Sequence, residues 1–393
     1  MKQLFLLTPL LIVMLISCDD FIVPYSEYTF EEYNGSLEAA RITEAASWSP
    51  RWDHAAAVFN GYLWIFGGYD TTARGEEDSY REDVWRSSDG EYWEQVTANA
   101  PWKGRRGHAV SVLNNALYLT GGFSVDQKTG IRSYCNDVWK SNDGEHWECI
   151  VEDAPWGVRM NHALITANDG SQDTLYLFGG FFNGLYFRSD MWKSADGVNW
   201  IEIELPEGDG TGGAFPGARA SFASCLGDNG KIYMQGGSYY GAPSHSTGTV
   251  DEESVSFLNN PANWSSIWYF DPTEESAGWR YDRWGMLPAV RGNRRAEQVL
   301  VPFNGELWMF AGKSNSGWSY CESHETYSTL SYRGYTSENP MDPEISWNVD
   351  SYGAPMDPRY GYTANIFKEK IYILGGFSTN GPTHDVWCIE GGE

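Results

Sequence analysis

An all-β fold made of six repeated units is what this sequence predicts, on three observations. A strand closing in a double glycine recurs along the chain, an arginine precedes it at a regular distance, and a tryptophan-rich hairpin follows it in the clearest copies. With 393 residues and 41% apolar content the chain is long enough to bury a large core. Its 43 Gly and 19 Trp favour turns and strands over helices. The formal charge of −26 excludes nucleic acid as a partner class, because a phosphate backbone requires a surplus of Lys and Arg.

The first element is not part of that fold. "MKQLFLLTPLLIVMLISC", residues 1–18, has one Lys, an apolar run too short for an ordinary spanning helix, and the ending Leu15-Ile16-Ser17-Cys18. It reads as an export signal. The ending resembles the lipobox of bacterial lipoproteins, which implies that Cys18 is lipidated and becomes the mature N-terminus. The expected location is then the bacterial cell envelope, lipid-anchored on the periplasmic side or at the cell surface, with residues 19–35 as a tether.

The repeats come next, over residues 36–393. The double glycines stand at Gly67-Gly68, Gly121-Gly122, Gly179-Gly180, Gly236-Gly237, the degenerate Ala311-Gly312, and Gly375-Gly376, at intervals of 54, 58, 57, 75 and 64 residues. Each closes an apolar strand such as "YLWIFGG", "ALYLTGG" or "KIYILGG". Before it lie a small-residue strand and a turn such as Asn60-Gly61, a hairpin signal. After it come "DVWRSSDGEYWEQV", "DVWKSNDGEHWECI" and "DMWKSADGVNWIEI", two further strands joined at Asp-Gly. Four strands per period, stacked radially, make a β-propeller blade.

The double glycine, the Asp-Val-Trp strand and the fourth-strand Trp93, Trp147 and Trp200 resemble Kelch repeats. The resemblance implies a six-bladed Kelch β-propeller like the central domain of galactose oxidase. Blade five departs most, with Ala311 for Gly and "TYSTLSY" for the Asp-Val-Trp strand. The chain ends one strand short of a sixth blade, while Trp48 to Arg51 repeats the spacing of Trp102 to Arg105. Residues 36–46 are therefore expected to supply the missing fourth strand and remove an exposed edge.

One face of such a ring has short turns, and the other carries long, varied loops such as "YDTTARGEEDSYRE" and "FSVDQKTGIRSYCN". Long loops in a compact domain point to the loop face as the binding face. An arginine opens each innermost strand there: Arg51, Arg105, Arg159, Arg219, Arg295 and Arg359. We expect these as ligand-binding residues, since guanidinium forks suit carboxylates. The competing role is pairing with an acidic loop residue or a blade carbonyl. Trp48, Trp102 and Trp156, three residues before an Arg, are expected to form a sugar platform or to cover the blade ends. His54, His108 and His162 invite a metal reading, but a His at this place is frequent in Kelch repeats as a hydrogen-bonding residue, and no metal or cofactor is expected. The Asp-Gly hairpins resemble the Asp-box of sialidases with one residue missing, and are read as structural turns. Cys135 and Cys149 flank one such hairpin at nearly matched distances, so a bridge between them is geometrically allowed.

The expected function is recognition of a glycan, a protein or an acidic peptide by a monomeric envelope lipoprotein. The alternative is a sugar mutarotase or epimerase, an activity found among bacterial Kelch-like propellers, for which Glu297 beside Arg294 is the best available pair. Replacing Cys18 by Ser should release the protein from the membrane fraction of fractionated cells; a mutant that still sediments with membranes is not anchored by a lipid on this residue.

Overall fold

Each repeat folds as an antiparallel sheet because its apolar strands are separated by residues that accept left-handed backbone. In the computed structural model, the described residues are 37–73, 79–126, 129–183, 186–206, 216–237, 267–281, 295–303, 306–310, 313–315, 325–327, 331–335, 346–349, 356–357, 359–378 and 380–391. Residues 1–18, the tether and Ala311-Gly312 lie outside them. Sheet one runs Ala55–Phe59, Tyr62–Tyr69, Tyr80–Ser87 and Trp93–Thr97. Its first turn places Asn60 at φ 48° and Gly61 at φ 76°, the primed geometry that matches strand twist. Lys368 and Glu369 hold the same geometry in sheet six, at φ 50° and 62°, with no Gly or Asn to announce it.

Five further sheets follow the same plan. Sheet two contains Ala109–Leu113, Ala116–Thr120, Val138–Ser141 and Glu148–Val151, and sheet three Ala163–Asn168, Asp173–Phe178, Met191–Ser194 and Ile201–Glu202. Sheet four has Ala223–Leu226, Ile232–Gln235, Ile267–Phe270 and Trp279–Tyr281, and sheet five Val299–Phe303, Glu306–Phe310, Ser331–Tyr335 and Ser346–Val349. Sheet six joins Thr363–Phe367, Lys370–Ser378 and Gly381–Gly391 to the N-terminal strand Leu37–Thr43. That last pairing runs from Leu37 opposite Gly391 to Arg41 opposite Trp387. Ala46 N–H then donates to the His384 carbonyl at 2.9 Å.

The first strands of successive sheets touch in chain order, and that of sheet six touches that of sheet one. The ring has no single core. Six hydrophobic clusters fill the wedges between neighbouring sheets, such as Phe59, Trp64 and Phe66 against Leu117 and Leu119. Second strands are buried on both faces, which is why they read as continuous apolar runs.

The Asp-Gly hairpins are structural. Asp89 accepts the amides of Glu91 and Tyr92, both at 2.9 Å, and Trp93 donates to the Gly90 carbonyl at 3.0 Å. A Cβ on Gly90 would sit 2.4 Å from the Tyr372 ring of sheet six, so the turn seats itself on the preceding sheet. The expected bridge is corrected: Cys135 and Cys149 are both free thiols. The register sets Cys149 opposite Trp139, while Cys135 stands before the strand begins at Val138. Removing residues 1–46 should lower the thermal midpoint, by about 3 kcal/mol or more in stability, since a ladder of backbone bonds is lost. An unchanged midpoint in calorimetry would mean that this strand contributes nothing to the ring.

Candidate functional site

The repeat arginines are internal brackets. Arg51 donates to the Gly67 carbonyl at 2.8 Å and grips Asp83 at 2.6 and 2.8 Å. Arg105 does the same with Gly121 at 2.9 Å and Asp137 at 2.8 and 2.9 Å. Arg159 takes Gly179 at 2.9 Å and Asp190 at 2.8 and 2.7 Å. Arg359 takes Gly375 at 3.0 Å and Asp385 at 2.6 and 2.9 Å. Arg219 donates to the Gly236 carbonyl at 3.0 Å. The Asp-Val-Trp pattern serves this bracket, for Trp85 and Trp139 donate their indole N–H to the same aspartates at 2.7 and 2.6 Å. Burial pushes the Asp137 carboxyl up, but the Arg105 charge and its hydrogen bonds outweigh that and hold it below the usual range.

The expected ligand roles are therefore corrected. Arg51, Arg105, Arg159, Arg219 and Arg359 are at most 4% exposed, and their guanidinium groups face the interior. Trp48, Trp102 and Trp156 are at most 1% exposed and pack edge-on or tilted against Trp93, His108 and Trp200. They cover blade ends and offer no sugar platform. Arg294 and the Arg295 side chain lie outside the described residues.

Two positions after each arginine the chain turns left-handed and lines the axis. Asp53, Gly107, Asn161, Ser221, Glu297 and Gly361 have φ between 52° and 62°. Five amide-to-carbonyl bonds of 2.7–3.1 Å link them from sheet to sheet around the axis. They form the wall of an axial cavity of about 280 Å³. Glu297 stands in this wall, where sequence reading placed a candidate acid or base.

In several repeats the next residue hydrogen-bonds to the preceding sheet. His54 meets Thr363 at 3.0 Å and His162 meets Thr120 at 2.9 Å through Nε2. Gln298 donates to the Gln235 carbonyl at 2.9 Å. Burial, then the neighbouring arginine, presses His54 and His162 down to about 3, so both are neutral. Among the described residues no group of three or more metal-ligating side chains is found.

Above the bracket, a strip of buried and half-buried side chains, most of them aromatic, lies beneath the loop face. Eight of its members follow either the repeat arginine or the double glycine: Trp52 bridges Tyr69, Arg106 pairs with Phe123, Met160 bridges Phe181, and Tyr360 pairs with Phe377. Trp52 packs on Tyr69, Tyr360 and Phe377 at 5.7, 5.5 and 5.8 Å. The contacts continue from Tyr69 through Tyr80 and Phe123 to Tyr134 at 4.7, 5.7 and 4.9 Å. The Arg106 guanidinium lies 4.9 Å from the centroids of both Trp52 and Tyr69, and 3.6 Å from Asp53 at the cavity mouth. Sequence reasoning passed over these residues. The signal was the aromatic residue after the double glycine in four copies, Tyr69, Phe123, Phe181 and Phe377.

A family profile described as the KLHDC2/KLHL20/DRC7 Kelch-repeats domain matches residues 35–237, and a Kelch motif matches residues 358–390. Kelch domain-containing protein 3 of the rat is 31% identical over 212 residues, 51% of this chain and 50% of that protein. Tip elongation aberrant protein 1 of Schizosaccharomyces pombe is 30% identical over 151 residues, 37% of this chain and 12% of that protein. This chain thus aligns with half or less of the length of these relatives. A solved structure titled "Structure of YjhT" superposes with a TM-score of 0.63 at 15% identity, over 90% of this chain and 100% of that one, a likeness of fold.

The buried histidines make stability depend on acid. Their folded values near 3 lie below the ordinary 6.5, so the unfolded chain takes up protons first and stability falls as pH drops from about 6.5 towards 3. His162→Phe, the residue that sheet four carries at Phe222, should flatten that fall by about 1.4 kcal/mol per pH unit. Urea titrations at several pH values measure the slope, and an identical slope in the variant would contradict the neutral buried imidazole.

Proposed function

Because the chain belongs to the Kelch-repeat family, we propose that it is a recognition module whose ligand docks on the aromatic strip of the loop face. The ligand is a protein segment or glycan carrying anionic groups, and the module is held at the cell envelope through Cys18. The observation that carries this reading is Arg106, set against both Trp52 and Tyr69 beside Asp53 of the cavity wall in a protein of charge −26. A cation flanked by aromatic faces recognises planar anionic groups, and half-buried rings supply contact area at small entropic cost. A catalytic reading, as a sugar mutarotase or epimerase, rests on Glu297 in the cavity wall.

Glycan and peptide arrays, followed by calorimetry on the best binder, test the recognition reading. Arg106→Ala and Trp52→Ala should each weaken binding about tenfold, the scale expected for an interface anchor. Tyr92→Ala, at a 73% exposed turn tip on the opposite face, should leave it unchanged. Equal loss in Tyr92→Ala would put the site on the other face, and anomer exchange abolished by Glu297→Gln would favour the enzyme.

A further inference from the structure

The loop face carries an arginine at one repeat position in two sheets, and among the described residues only one of the two is salt-bridged to a carboxylate. Two residues before the bracket aspartate stand Arg81 in sheet one and Arg188 in sheet three; two residues after the double glycine stand Asp70 and Phe182. In sheet one, Asp70 is 1% exposed and forms a salt bridge with Arg81. Thr72 completes its shell, donating its amide and hydroxyl to Asp70 at 2.8 and 2.6 Å.

In sheet three an aromatic ring replaces that carboxylate. The Arg188 guanidinium lies 5.3 Å from the Phe182 centroid, and its Nε is buried with no hydrogen-bond partner. The carboxylate that bears on it, Asp190, has both oxygens bonded to Arg159. Burial, then the like charge of Arg159, lowers the Arg188 pKa, and Asp190 offsets this only in part. A half-buried cation beside another cation is a costly arrangement unless an anion joins it. Phe182 in turn stacks on Tyr186 at 4.7 Å with an 18° tilt, which holds the ring against the guanidinium. Gly157, left-handed at φ 69°, leaves open the position where a Cβ would come within 3.3 Å of the Arg188 Nη2.

We propose that Arg188 is a carboxylate-binding subsite of the loop face, where a carboxylate of the ligand fills at sheet three the place that Asp70 fills at sheet one. The subsite rests on the reading of the loop face as a recognition surface and adds to it the chemistry of one contact. Bidentate pairing with the guanidinium fork, itself packed on the Phe182 ring, defines the geometry.

The probes are N-acetylglycine, glucuronate and the neutral N-acetylglycinamide, titrated into the full protein carrying ¹⁵N-labelled arginine. The Arg188 Nε resonance is identified by its loss in Arg188→Lys. One or both carboxylates should shift it and the amide should not; which acid acts distinguishes a peptide terminus from a sugar acid as the source. Phe182→Asp supplies the carboxylate internally, so it should abolish the shift and raise the thermal midpoint. In calorimetry Arg188→Ala should weaken carboxylate binding at least about tenfold. No shift with either acid, or unchanged affinity in both Arg188→Ala and Phe182→Asp, overturns the subsite. If Arg106→Ala abolishes binding of the array ligand while Arg188→Ala leaves it intact, the subsite falls and the recognition surface stands.

Discussion

The structure depends on one buried bracket, the arginine that opens each innermost strand. In sheets one, two, three and six its guanidinium closes on the aspartate of the third strand and on the first glycine carbonyl of its own sheet. Its own carbonyl reaches the sheet before: Gly122 N–H donates to Arg159 at 2.8 Å, and Gly376 N–H to Arg51 at 2.9 Å. One residue therefore fixes both the inside of a sheet and its seat against a neighbour. The close approach explains the double glycine, for a Cβ on Gly67 would lie 2.9 Å from the Arg105 carbonyl. Removing one partner of such a pair leaves a buried charge, a loss of about 3 to 5 kcal/mol.

That bracket also decides where binding can occur. With Arg51, Arg105, Arg159, Arg219 and Arg359 and the tryptophans before them turned inward, the residues that flank them are left to face outward. The same short ladders that carry Trp52, Arg106 and Tyr360 past the bracket raise their side chains onto the loop face. Copies of the repeat agree where the ring must hold together and differ where a ligand would be read. Arg81 with Asp70, and Arg188 with Phe182, are the clearest case of one repeat position given two different neighbours.

Much of the fold was legible because its constraints are local or periodic. Strand order, turn positions, the Asp-Gly hairpins and the strand at residues 37–43 follow from spacing and alternation. Lys368-Glu369 was not legible, since neither residue type signals left-handed backbone. The Cys135 and Cys149 pairing misled because equal distance from a turn along the chain says nothing about a bulge between Val138 and Trp139.

By itself the sequence determined an all-β Kelch propeller, because a period, a double glycine and an alternating strand are properties of the chain read in order. It also determined that an arginine mattered at each start. Only the tertiary structure decided what that arginine does, because its partner lies about 30 residues onward and its burial depends on the sheet beside it. The physical reason is that a guanidinium exposed to a ligand and one sealed against an aspartate have the same spelling. Desolvation by the neighbouring sheet, which no single repeat encodes, separates the two.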